Sequence, residues 1–116
     1  MKRLCRKAVI DRARHALVDF PMLQPPHQDR GASLREFRAK HRVLVTASGM
    51  LAREDPAAQL VTEALDRIAV WRSAWVSVPA EQQFTAYIQL RAELLDVERI
   101  LAQLMGWHPL SSPVLR

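Results

Sequence analysis

The chain is poor in glycine, cysteine and aromatic residues, and each shortage removes a class of protein. Its three glycines are Gly31, Gly49 and Gly106. They are too scattered to form the glycine-rich loop that cradles phosphates, so a P-loop ATPase is excluded. Scarce glycine, with seven prolines kept outside the long periodic stretches, also argues against the many tight turns of a β-sandwich. The lone Cys5 allows no intramolecular disulfide and no cysteine zinc site, and nothing calls for an oxidising compartment. His15, His27, His41 and His108 include no pair at the three- or four-residue spacing of a helical metal site. No apolar run approaches the ~20 residues needed to cross a bilayer. The basic start Met1-Lys2-Arg3-Leu4-Cys5-Arg6-Lys7 is followed by Asp11, Arg12, Arg14 and His15, which interrupt the apolar stretch a secretion signal requires. A cytoplasmic, non-membrane protein is expected.

What is present is one domain's worth of helix. The 116 residues leave no room for a second core, and 49% hydrophobic content is enough to bury one. The net charge of +5 is unevenly spread. Residues 1–42 hold eleven Lys/Arg against four Asp/Glu, a net of +7, and residues 43–116 hold six against eight, a net of −2. A basic front points to an anionic partner. The blander reading is arginines that merely solvate an exposed helix.

Periodicity predicts four helices. Val9, Ala13, Ala16, Leu17 and Phe20 share one face of a first helix over residues 2–19. On that helix Arg3, Lys7 and Arg14 fall within about 40° of one another, a ridge that could follow a phosphate backbone. Pro21, Pro25 and Pro26 then break the helix into a connector. Ser33-Leu34-Arg35-Glu36 reads as a capping box opening a second helix, which Gly49 is suited to end. Asp55-Pro56 is an N-cap followed by a first-turn proline. The third helix it opens carries Leu60, Val61, Ala64, Leu65, Ile68, Trp71 and Trp75 to about Ser77. The two tryptophans could stack on bases, but their place in the apolar period favours packing.

The fourth helix, from Pro79 to Met105, carries Tyr87, Leu90, Leu94, Val97, Leu101 and Leu104. Their alternating three- and four-residue spacing is that of a coiled-coil seam, and they are the expected oligomer interface. Phe84, Ile88, Leu95 and Ile100 widen the apolar arc to about 240°, against the ~100° that suffices for a surface helix. Helices two and three could cover part of it, and the remainder points to another copy of the chain or another protein. Self-association is expected over the alternative, a compact monomeric bundle in which all four helices share this surface.

Little in the sequence points to catalysis. Glu93 and Asp96 share a charged helix flank, and Glu54-Asp55 is explained by capping and the helix dipole. No enzymatic activity, metal, cofactor or small-molecule substrate is expected. The expected fold is all-α. A short basic N-terminal helix (1–20) and a proline-rich connector (21–33) precede helical hairpins that form an oligomerisation domain (34–106). These end in a long coiled-coil-like helix, and a C-terminal tail (107–116) follows.

From Pro25 onward the order of features resembles the small terminase subunits of tailed bacteriophages and related gene transfer agents. The shared elements are Pro25-Pro26, then Leu44…Gly49-Met50-Leu51…Asp55, the Trp71-Arg72 pair, and a long last helix. That helix ends in Leu101, Leu104 and Gly106, before Pro109-Leu110-Ser111 and Arg116. The chain departs from the pattern at Ser112-Pro113 and in the short Val76-Ser77-Val78 link. The resemblance implies a ring-forming homo-oligomer in a bacterial host cell that binds double-stranded DNA and presents it to a large terminase ATPase/nuclease. The tail Pro109–Arg116 would touch that large subunit. The basic residues of the first two helices would contact phosphates: Lys2, Arg3, Arg6, Lys7, Arg12, Arg14, Arg35, Arg38, Lys40 and Arg42. Two other readings fit the composition: a helical scaffold subunit of an RNA-guided, CRISPR-type complex, and a helical regulator that binds only protein.

Overall fold

The computed structural model describes residues 5–21 and 32–107, and over these the chain is all-α. It forms α1 (Arg6–Val18), α2 (Ala32–Met50), α3 (Pro56–Ala74) and α4 (Ala80–Gln103), with no strand among the described residues. α3 and α4 each run into a tighter final turn, Trp75–Ser77 and Leu104–Gly106. No described helix is long and apolar enough to cross a membrane.

The local signals act where the residues can be seen. Asp55 is extended and its side chain accepts the Ala57 N–H at 2.9 Å, with Pro56 at the first helical position. The connector's proline pair and the capping Ser33 side chain lie outside the described residues. Gly49 does not end α2, which continues to Met50. A Cβ at Gly49 would meet nothing within 4 Å, so no backbone demand is placed on it. Leu51 is buried and donates its N–H to the Ala47 carbonyl at 3.2 Å, so the helical path is carried on until Leu51 reaches the core.

Consecutive helices run antiparallel, and α1 closes the set against α4. Arg6 of α1 meets Met105 beyond α4, Arg14 meets Glu98, and the Phe20 carbonyl accepts the Tyr87 hydroxyl at 2.7 Å. α2 therefore lies across the bundle from α4. Ile10, Leu17, Leu44, Val61, Ile68, Leu94 and Leu101 fill the centre. One end is aromatic: Phe20 packs edge-on to Phe37 at 5.2 Å, and Trp71 lies 5.2 Å from Trp75 and 6.2 Å from Tyr87. Both tryptophans are buried and are not a base-stacking platform. The Trp71 Nε1 has no hydrogen-bond partner among the described residues.

The oligomer-interface expectation is corrected here. Tyr87, Leu90, Leu94, Val97 and Leu101 are each 8% exposed or less, and Leu104 packs half-buried against the same core. The heptad spacing faces α1 and α3 of the same chain. A periodic stripe shows that a helix face must be covered, and it does not show by which helix. What stays outside on α4 is a second line, Phe84, Ile88 and Leu95.

Candidate nucleic-acid interface

α2 buries Phe37, Leu44, Ala47 and, just beyond it, Leu51, which fixes its outward face. On that face Arg35, Arg38 and Arg42 fall within about 60° of one another, and all three are exposed. From Arg35 to Arg42 the helix rises about 10 Å, close to three phosphate steps of one strand at 3.4 Å each.

Two grooves flank this stripe and share Arg42. Between α1 and α2, Val9, Ala39, Val43, Ala47 and Met50 form an apolar floor of a cavity of about 280 Å³, with Arg12, Arg42 and Thr46 completing it. Between α2 and α3 lies a larger groove of about 550 Å³. Arg38, His41, Arg42 and Arg72 line it over Phe37, Val45 and Ile68. Phe37 organises the second groove. Its ring stacks on His41 at 5.9 Å and 11°, and the Arg72 guanidinium lies over it at 5.0 Å. Such a cation–π contact contributes about 0.5–1 kcal/mol at a partly exposed site, enough to bias Arg72 toward the groove.

Among the described residues, neither groove is lined by a carboxylate. Among the described residues, no ion pair forms at Arg12, Arg35, Arg38, Arg42 or Arg72. Glu63, Asp66 and Glu93 lie on another wall between α3 and α4, beside Arg67, and Glu63 with Asp66 also lines a groove near the α2–α3 turn, beside Arg53. Folding brings Arg72, from the acidic half of the chain, to the basic wall. Guanidinium groups suit phosphate because they donate two parallel N–H bonds and stay charged.

The ten expected phosphate contacts divide into several groups. Arg12, Arg35, Arg38 and Arg42 form the basic wall with Arg72. Lys7 is exposed but lies about 140° around α1 from Arg12, away from the grooves. Lys40 is half-buried, about 160° from Arg42, and lines neither groove. Lys2 and Arg3 lie outside the described residues.

Arg6 and Arg14 are corrected: they hold the bundle together. Arg6 grips Asp55 through Nε–Oδ2 at 2.6 Å and Nη2–Oδ1 at 3.1 Å, donates to the Met105 carbonyl at 3.0 Å, and lies 5.5 Å from the Trp107 ring centre. Arg14 pairs with Glu98 at 2.8 Å and reaches the Met105 sulfur at 3.2 Å. Their carboxylates are 49 and 84 residues away in sequence, so only the tertiary fold reveals that these cations are taken.

Sequence reasoning missed Arg72 and His41 as members of the basic wall. The available signal was the four-residue spacing of Phe37 and His41, with Arg72 directly after a core tryptophan and so on its flank. Among the described residues no cluster of three or more His, Cys, Asp or Glu could hold a metal ion. Comparison of the chain with protein-family models, curated proteins and solved structures finds no match.

Proposed function

We propose that this chain is a DNA-packaging adaptor of the kind its sequence resembles, the small terminase subunit. In this reading it grips duplex DNA without chemistry of its own, assembles with itself, and presents the DNA to a large ATPase/nuclease subunit. The observation that carries the DNA-binding part is the set of grooves lined by Arg12, Arg38, Arg42 and Arg72 with no carboxylate among the described residues, with Arg35 exposed on the same face of α2. Contacts of this type go to the phosphate backbone, so affinity is largely independent of base sequence.

The test is a salt titration of binding to a labelled duplex, followed by fluorescence anisotropy. Five phosphate contacts give a slope of log K against log salt of about −4.5. Arg38→Ala, Arg42→Ala and Arg72→Ala each flatten it by about 0.9. Binding with no salt dependence, or a slope unmoved by all three variants, overturns the reading. Single-stranded RNA run in parallel addresses the RNA-guided scaffold: marked preference for RNA over duplex DNA favours that alternative.

A further inference from the structure

Of the six large hydrophobic side chains exposed on the described surface, three lie in one line on α4. Phe84 is 63% exposed, Ile88 44% and Leu95 37%. On the helix they fall within about 40°, turned about 130° from the core-facing direction, past the Glu98 edge that meets α1. Val45 and Met50 belong to the basic grooves and Val70 stands beside acidic residues, so among the described residues the α4 line is the one apolar strip of this length. Arg91 falls within the strip's spacing, but its Nη1 turns back to the Tyr87 hydroxyl at 3.5 Å. That leaves its aliphatic stem to extend the apolar surface.

We infer that this strip is a self-complementary docking surface for a second copy of the chain, paired antiparallel along α4. A two-fold axis between Gln89 and Leu90 sets Phe84 opposite the partner's Leu95, and Ile88 opposite the partner's Arg91. The same operation sets Glu81 level with position 98 of the partner, one residue short of the partner's Arg99 on the same flank. Glu81 and Arg99 share one flank of α4, about 60° from Phe84. In antiparallel helices, flanks of the same kind meet, so each pair of copies gains two Glu–Arg contacts. The internal competitor is weak: Arg99 meets Asp96 at 3.6 Å with both side chains largely exposed. A foreign helix has no reason to match charges of opposite sign placed within one residue of even spacing about this centre.

The inference rests on the self-associating part of the function proposed above and names its surface. It is isologous, so it closes at two copies, and a ring would need a second, head-to-tail contact elsewhere.

The test is analytical ultracentrifugation of the full chain at tens of micromolar, with circular dichroism to confirm that each variant folds. Wild type sediments as a dimer or a multiple of one. Leu95→Glu and Ile88→Glu, at exposed positions, keep the helical signal and weaken pairing at least tenfold. Glu81→Arg and Arg99→Glu each weaken pairing several-fold, and the double variant recovers it. A wild type that assembles but ignores all four substitutions overturns this surface and leaves the oligomer reading standing. A wild type that stays monomeric overturns both. Loss on single charge reversal without recovery in the double variant overturns the antiparallel register.

Discussion

Removing the carboxylate of Asp55 tests how the start of the basic first helix is held against the start of α3. Asp55 is 3% exposed and has two tasks. It caps α3 through the Ala57 N–H and takes both donors of the Arg6 fork. Loss of a capping side chain costs about 1 kcal/mol. Breaking a buried pair by deleting one partner costs about 3–5 kcal/mol. Arg6 stays 26% exposed and keeps the Met105 carbonyl, so we take about 2 kcal/mol for the pair. Asp55→Ala should then cost about 3 kcal/mol, a large part of the 5–15 kcal/mol that holds a domain of this size. The midpoint of thermal unfolding should fall by about 10 °C.

Two further variants separate the tasks. Asp55→Ser keeps a capping oxygen and should recover about 1 kcal/mol of the loss. Arg6→Met removes the other partner, and a double-mutant cycle with Asp55→Ala should return a coupling of about 2 kcal/mol. Urea unfolding followed by circular dichroism measures all four proteins. The account fails if Asp55→Ala unfolds within 1 kcal/mol of wild type, or if the cycle shows no coupling. Either result would return Arg6 to the pool of cations free to bind a ligand.

Arg6→Met and Arg42→Ala should divide stability from binding: the first unfolds about 2 kcal/mol more easily with its DNA salt slope intact, the second stays as stable as wild type while its slope flattens by about 0.9. Leu94→Ala should cost about 2–5 kcal/mol and the adjacent Leu95→Ala less than about 0.5 kcal/mol, as urea midpoints will show, because Leu94 is sealed in the core and Leu95 faces out. Tyr87→Phe should cost about 1–2 kcal/mol in the same assay by leaving the Phe20 carbonyl without the hydroxyl it accepts.

The helices were legible because their signals are local. Asp55-Pro56 announces α3 within two residues, and the proline positions keep the connectors apart from the helices. The apolar period of α4 was equally plain, but its partner was not. Leu90, Leu94 and Leu101 would read the same whether covered by a second copy or, as found, by α1 and α3. The basic wall was half legible for a similar reason. Arg35, Arg38 and Arg42 lie on one short helix, so spacing alone gathers them. Arg72 arrives from thirty positions beyond Arg42, and Arg6 and Arg14 are withdrawn by carboxylates more remote still. Charge counting cannot distinguish a paired cation from a free one.

The bundle order places the two proposed surfaces apart, and that has a measurable consequence. The arginine stripe is on α2, which lies across the core from α4, and the apolar strip turns outward on the α1 side of α4. Two copies joined along α4 would therefore present their arginine walls on well-separated outer faces. Such faces do not grip one short, straight duplex together, so pairing adds no second attachment to it. Leu95→Glu should bind a short duplex within about twofold of wild type, since neither site biases the other. What it should lose is bridging. Wild type should bring donor- and acceptor-labelled duplexes together in an energy-transfer assay, and Leu95→Glu should not. If Leu95→Glu weakened binding to the short duplex tenfold while folding normally, the two walls would have to face the same DNA. The antiparallel arrangement along α4 would then be wrong.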